Sequence, residues 1–100
     1  MGFPCNQFGA QEPGTDAEIQ KFATEKYGAT FPLFSKIEVN GDGACDLYKL
    51  LTAAAPNEDG STPIQWNFTK FLIGRDGEVI KRYSPKVTPE EIAAELGDYL

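Results

Sequence analysis

Residues 2–14, GFPCNQFGAQEPG, organise this chain together with a distant triplet, WNF, at residues 66–68. The two stretches contain the most conspicuous neutral hydrogen-bond donors of the sequence in a loop context. The amide donors are Asn6, Gln7, Gln11 and Asn67, and Trp66 adds an indole N–H. A site built from these side chains offers donors rather than acids or bases, and such donors suit an anion.

Composition limits the class of protein. The chain has 100 residues, 41% of them apolar and 12% aromatic, which is enough for one globular domain with a modest core. Its net charge of −6 argues against nucleic acid or an anionic membrane surface as a partner. No apolar run approaches the ~18 residues of a membrane span, and the first residues lack the features of a signal peptide. We expect a cytoplasmic protein with a single domain over residues 1–100.

The residue types needed for several kinds of catalysis are missing. The sequence contains no His, so Ser/His/Asp and Cys/His catalysis each lack a component. Cys5 and Cys45 match neither the spacing of a zinc site nor a CxxC redox pair. We therefore expect neither a metal site nor a cofactor.

The first predicted helix has signals at both ends. Thr15 or Asp16 caps its start, Glu18 completes a capping box with Thr15, and Gly28 ends it. Its apolar positions recur at helical spacing and are Ile19, Phe22, Ala23 and Tyr27.

Apolar spacing and capping residues predict two further helices. One is predicted from Cys45 to Ala54, with an apolar face formed by Leu47, Leu50, Leu51 and Ala54. The last begins after Thr88, with Pro89 in its first turn and Glu91 completing a capping box. Its apolar positions are Ile92, Leu96 and Tyr99.

The remaining apolar segments predict strands and loops. Pro32 restricts the run TFPLFSKIEV to an irregular or edge-strand role, and APNEDGSTP, residues 55–63, is a loop. Alternation from Ile64 through Trp66 to Phe68 predicts a strand that continues over residues 71–73, buried on both faces. RDG then turns the chain into a return strand, which predicts a β-hairpin.

Three motifs, FPCNQFGAQEPG, FPLFSKIEVNG and WNFTKFLIGRDG, resemble the glutathione peroxidase family. They occur in the family's order, and the similarity runs from Gly2 to the last helix. The resemblance implies an α/β fold of the thioredoxin-like type, a central sheet with helices on both sides. The predicted hairpin and last helix fit the C-terminal part of that fold.

The resemblance also implies a chemistry. In the family a selenocysteine or cysteine attacks the peroxide oxygen, and three donors surround it, which by motif are Gln11, Trp66 and Asn67. A thiolate is the nucleophilic form, so donors that stabilise the anion raise its population at neutral pH. The implied substrates are hydrogen peroxide and organic or lipid hydroperoxides, and the implied reductant is glutathione or thioredoxin.

The sequence departs from the family pattern at the nucleophile. In the family that residue lies upstream of FPCNQF, in a segment resembling NVASKCG, whereas Cys5 matches a cysteine that does not attack peroxide. The resolving cysteine of some relatives falls near Ala23 and Thr24, and Cys45 replaces a usual turn residue. We expect a truncated peroxidase that is weak or inactive alone; the alternative is a natural remnant that serves as a non-catalytic binding or interaction protein.

Other features have structural interpretations beside the functional ones. Gln7 and Gln11 are also suited to satisfying loop backbone groups, and Cys5 is expected to be a buried thiol. The predicted solvated charges, one or two of which are available to attract an acidic thiol reductant, are Lys21, Lys26, Lys36 and Lys70. The short loop before Trp66 resembles that of monomeric relatives. Without central strands, however, exposed edges favour self-association or domain swapping.

Overall fold

The computed structural model describes residues 1–99. The chain divides into two compact units, Met1–Cys45 and Asp46–Leu100, each with its own small set of buried side chains. In the first unit these are Cys5, Ile19, Val39 and Ala44, and in the second they are Leu51, Ala55, Ile64 and Tyr83. The single domain over residues 1–100 stays a prediction.

Helix α1, Asp16–Tyr27, begins and ends where the sequence predicts. The Thr15 hydroxyl accepts a hydrogen bond from the Glu18 N–H, and the Glu18 side chain accepts one from the Thr15 backbone, which completes the capping box. Gly28 ends the helix in the left-handed region, with φ of 64°. The capping signals therefore define this helix correctly.

The apolar face of α1 is only partly buried. Ile19 is buried, but Phe22 and Tyr27 are exposed and lie edge to face, with ring centroids 5.5 Å apart. The Lys26 ammonium lies 5.4 Å from the centre of the Phe22 ring and 6.0 Å from that of Tyr27. These aromatic rings pack on each other and on a cation instead of on a core.

The segment after α1 is irregular, as Pro32 predicts. Gly2 and Leu33 form an isolated parallel bridge, supported by the Gly2 N–H to the Pro32 carbonyl at 2.8 Å. Pro4 continues the pairing through its carbonyl, which accepts from the Ile37 N–H at 2.9 Å. The two stretches hold each other without forming a regular ladder.

Helix α2, Asp46–Ala54, starts one residue later than predicted. Leu51 is buried, whereas Leu47 and Leu50, on the same predicted face, are exposed. The Thr52 hydroxyl donates to the Tyr48 carbonyl at 2.7 Å, so it takes its partner from within the helix.

The hairpin is confirmed as strands β1, Lys70–Ile73, and β2, Val79–Tyr83, which pair antiparallel. Gly77 closes the turn with φ of 85°, a left-handed conformation that favours glycine, and its N–H donates to the Gly74 carbonyl. The register shifts between Leu72 and Ile73, where Ile80 of β2 has no partner on β1, so the bulge lies in β2.

Two parts of the strand prediction are wrong. Residues 64–69 are not a strand, because the chain turns at Trp66 and Phe68 has a left-handed φ of 65°. β1 is also not buried on both faces: Ile73 is exposed, and the described sheet has only two strands. The alternation of apolar residues reflects a turn carrying large side chains rather than an extended strand.

Helix α3, Pro89–Glu95, follows a Thr88 cap with Pro89 in its first turn, as predicted, and leads into a 3₁₀ turn at Leu96–Asp98. The Glu95 carboxylate accepts hydrogen bonds from the Tyr83 hydroxyl and, at 3.1 Å, from the Lys81 ammonium. These bonds tie α3 to β2. Among residues 1–99, no helix is both long and apolar enough to cross a bilayer.

Candidate functional site

Gln11 lies in a loop that closes on itself, residues 6–12, called here the Gln11 loop. The Asn6 side-chain oxygen accepts from the Glu12 N–H at 2.9 Å, one residue beyond Gln11. Gly9 and Ala10 both have positive φ, 68° and 49°, which turns the chain sharply before Gln11. The exposed Gln11 side chain therefore stands at the end of a closed turn.

Gln7 fixes the same loop to the segment at residues 39–40. Its side-chain oxygen accepts from the Val39 N–H at 2.7 Å and from the Asn40 N–H at 3.2 Å. Its amide nitrogen donates to the Asn40 carbonyl at 3.1 Å. Gln7 thus uses both ends of its amide on backbone groups, and the structural interpretation of this residue is confirmed.

The two cysteines are free thiols in different surroundings. Cys5 is buried, as predicted, and its sulfur lies 3.5 Å from both the side-chain oxygen and the backbone nitrogen of Gln7. Cys45 is half-buried and precedes α2, with its N–H bonded to the Glu38 carbonyl at 3.0 Å. The position of Cys5 is that of a packing residue enclosed by the Gln7 amide.

A hollow of about 330 Å³ lies beside the Gln11 loop. Its lining residues are Asn6, Gln7, Lys36, Ile37 and Glu38. The hollow is open and carries one cation and one acid, and Gln11 is not among its lining residues. It therefore adds no residue to the predicted donor set.

Trp66 and Asn67 lie in a turn within residues 64–69, called here the Trp66 turn. The Thr69 hydroxyl donates to the Trp66 carbonyl at 3.1 Å and closes it. Phe68 holds a left-handed φ and is 80% exposed, and Trp66 is 48% exposed. A bulky residue with positive φ is strained, and such strain is common where a functional side chain has to be presented.

The Arg82 side chain donates four hydrogen bonds to the loop that precedes this turn. Its Nε donates to the Ala55 carbonyl at 2.7 Å, and its Nη2 donates to the Thr62 carbonyl at 2.8 Å. Its Nη1 donates to the Asn57 side-chain oxygen at 2.6 Å and to the Pro63 carbonyl at 3.1 Å. One guanidinium therefore holds the loop at residues 55–63, which leads directly into the Trp66 turn.

Asn57 organises that loop from within. Its amide nitrogen donates to the Pro63 carbonyl at 2.9 Å and to the Ser61 hydroxyl at 3.0 Å. Ser61 in turn donates from its hydroxyl and its backbone to Asp59, and these two bonds lower the pKa of the Asp59 carboxyl. The loop is held by polar contacts rather than by apolar packing.

The prediction that Lys70 is a solvated charge is wrong. The Lys70 ammonium donates to the Val87 carbonyl at 2.7 Å and to the Pro85 carbonyl at 3.3 Å, so Lys70 is not a free solvated charge. Burial lowers the pKa of Arg82, which still keeps its charge at neutral pH because an arginine cannot be deprotonated there.

The hydrogen bond with Glu95 raises the pKa of Tyr83 from 10.0 to about 12, with burial as the second cause. The same bond is the largest cause of a lowered pKa at Glu95, followed by the bond from Lys81. Within the described residues, Lys81, Tyr83 and Glu95 therefore join β2 to α3. None of these three residues is a predicted donor.

The three predicted site residues are placed as follows: Gln11 in the first unit, Trp66 and Asn67 together in one turn of the second. Their roles as donors stay predictions. Sequence reasoning missed Arg82 and Asn57, which hold the loop before Trp66. The available signal was weak: one Arg in a strand, and a loop whose turn residues leave many carbonyls to be satisfied.

Comparison with known proteins identifies relatives along the chain. The family model described as glutathione peroxidase matches residues 1–52. A hydroperoxy fatty acid reductase of Synechocystis is 54% identical over 101 residues, covering 96% of this chain and 60% of the relative. The thioredoxin/glutathione peroxidase BtuE of Escherichia coli is 51% identical over 110 residues, covering 91% of this chain and 60% of the relative.

A solved structure agrees with these relatives. The crystal structure of Trgpx in its apo form matches 98% of this chain and 54% of that chain, with 43% identity and a TM-score of 0.77. The chain thus spans about 60% of the length of the curated relatives it matches. It belongs to the glutathione peroxidase family and has the α/β, thioredoxin-like fold that its sequence predicts.

Proposed function

We propose that this chain is the donor-bearing part of a thiol-dependent peroxidase that reduces hydrogen peroxide and organic or lipid hydroperoxides. The observation that carries the proposal is the family membership of a chain that holds all three donor residues, in two of the family motifs. Two relatives support the reaction class through their names, a hydroperoxy fatty acid reductase and a thioredoxin/glutathione peroxidase. The reductant is glutathione or thioredoxin, and the role is defence against oxidative stress.

In this reaction a thiolate or selenolate attacks the outer peroxide oxygen and the O–O bond breaks. The chalcogen is oxidised to a sulfenic or selenenic acid, and the departing alkoxide takes a proton and leaves as an alcohol, or as water from hydrogen peroxide. Two thiols of the reductant then restore the anion, releasing water and forming a disulfide. Gln11, Trp66 and Asn67 donate hydrogen bonds to the chalcogen anion and to the departing oxygen.

Cys5 is not the nucleophile in this proposal. Its thiol is buried and lies against the Gln7 amide, whose oxygen holds the Val39 and Asn40 N–H groups. A peroxide would have to displace that contact to reach the sulfur. The nucleophile is a cysteine or selenocysteine supplied by a segment outside this sequence.

The complete enzyme is a cytoplasmic monomer.

The test compares the 100-residue chain with the protein translated from the same reading frame extended upstream of Met1. Hydroperoxide consumption is followed with glutathione and, separately, with thioredoxin and its reductase. We expect activity only in the extended protein, and its loss when the upstream Cys or Sec is replaced by Ser.

Two results would overturn the proposal. Robust activity of the short chain that Cys5→Ser abolishes would make Cys5 the nucleophile. A stop codon immediately upstream of Met1, or an extended protein without activity, would favour the non-catalytic interaction remnant.

A further inference from the structure

The Arg82 side chain contacts the residues that precede and follow the Trp66 turn. Upstream, Arg82 donates to the Thr62 and Pro63 carbonyls at 2.8 and 3.1 Å. Downstream, β1 begins at Lys70, and Phe71 pairs directly opposite Arg82 in the hairpin register. The Arg82 guanidinium also lies 5.1 Å from the centre of the Phe71 ring. Arg82 therefore contacts the chain on both sides of the Trp66 turn, at Pro63 and at Phe71.

Asn57 completes the upstream attachment. Its side-chain oxygen accepts from Arg82 at 2.6 Å, while its amide nitrogen donates to the Pro63 carbonyl at 2.9 Å. The Pro63 carbonyl therefore receives hydrogen bonds from both side chains, and the three groups form a closed cluster. Ile64, the next residue, is buried, so the chain enters the Trp66 turn from a fixed point.

We propose that Asn57 and Arg82 form a brace that positions the Trp66 and Asn67 donors, an inference that rests on the proposed function. Neither residue contacts the reacting atoms in this scheme. Both are positioning residues that act on the site through the Trp66 turn. The turn needs such support because Phe68, which is 80% exposed, holds a strained backbone conformation with a φ of 65°.

The chemistry of the brace requires an arginine. The planar guanidinium donates in three directions at once, from Nε, Nη1 and Nη2. A lysine keeps the charge but presents one compact ammonium that cannot reach the Ala55, Thr62 and Pro63 carbonyls together. Arg82→Lys therefore removes the brace and preserves the charge of β2.

The test uses Trp66 as its own reporter, because it is the only tryptophan of the chain. Fluorescence and acrylamide quenching are measured on the folded baseline, well below the thermal midpoint, for Arg82→Lys and Asn57→Ala. The matched control is Arg75→Lys, the same change at an exposed position in the hairpin turn. Because Trp66 is already 48% exposed, release of the turn raises the quenching constant by at most about two-fold.

We expect both brace variants to increase quenching toward that limit and Arg75→Lys to leave it unchanged. A lower thermal midpoint with an unchanged folded-state signal would show that the pair contributes only stability, and it would overturn the inference. If Arg82→Lys does not fold, Asn57→Ala decides, since it leaves the guanidinium in place. The readout needs no peroxidase activity, so failure of the brace and failure of the proposed function are distinguishable.

Discussion

The two loops that present the predicted donors are held in different ways. The Gln11 loop is fixed by two of its own neutral amides, Asn6 and Gln7, which bond to backbone groups. The loop before the Trp66 turn is fixed mainly by Arg82, a charged side chain from a strand. Hydrogen bonds with a charged partner are about twice as strong as neutral ones. The difference teaches that the loop before Trp66 is held mainly by one charged side chain assisted by Asn57, whereas the Gln11 loop is held by neutral amides of its own.

The largest effect is expected from Arg82→Ala. The substitution leaves several loop carbonyls without their donor, and hydrogen bonds to charged groups contribute about 1.5–3 kcal/mol each, so we expect a loss of about 3 kcal/mol. Urea unfolding followed by Trp66 fluorescence measures it. Arg75→Ala is the control and should change stability by no more than about 0.5 kcal/mol. Equal losses for the two variants would contradict the account.

The counterpart in the first unit is Gln7→Ala. It removes the acceptor of two backbone N–H groups and one donor, and we expect a local loss of about 2 kcal/mol. Hydrogen exchange of the Val39 and Asn40 amides should become about 30-fold faster. Gln20→Ala is the control, because Gln20 bonds only to Thr24 one turn along α1. Unchanged protection at Val39 would show that the Gln7 side chain does not stabilise residues 39–40.

A smaller effect is expected from Asn6→Ala. This change removes one neutral hydrogen bond, to the Glu12 N–H, and the expected cost is about 1 kcal/mol. Because Gln7 remains, Val39 and Asn40 should keep their protection while the Glu12 amide exchanges faster. If Asn6→Ala exposed Val39 as strongly as Gln7→Ala does, the two amides would act as one unit rather than as separate supports.

The last prediction is a pH dependence of the strand–helix contact in the second unit. The pKa of Tyr83 is raised from 10.0 to about 12, so its contribution is complete below pH 10.0 and is lost as the pH rises through about 12. The pKa of Glu95 is lowered from 4.5, so its contribution is present above pH 4.5 and is lost at lower pH.

The check is the difference in thermal midpoint between the wild type and Tyr83→Phe as a function of pH. The difference should be constant between pH 4.5 and 10.0 and should shrink on either side. A difference that does not vary with pH would mean that Tyr83 and Glu95 do not stabilise this contact through their charge states.

The features that the sequence predicts well are local. The Thr15–Glu18 capping box spans a single helical turn, and the RDG turn joins adjacent strands, so each is decided by neighbouring residues. The family motifs predict the fold equally well, because they occur in the family's order along the chain.

The features that the sequence does not predict depend on distant partners. Gln7 bonds to residues 32 and 33 positions away, and Arg82 bonds to residues 19 to 27 positions away. Apolar alternation at Ile64, Trp66 and Phe68 predicts a strand, because periodicity carries no information about the left-handed φ of Phe68. The side chains that support the donors were therefore found only from the structure.

The central claim is that Gln11, Trp66 and Asn67 stabilise an anionic chalcogen as neutral donors. The most direct test is the rate constant for hydroperoxide reduction by the proposed upstream-extended protein carrying Gln11→Glu or Asn67→Asp. Each change keeps the shape of the side chain and replaces its donor with a negative charge. We predict a fall of about 100-fold for each variant, with Gln20→Glu unchanged. Wild-type rates in both site variants would contradict the claim.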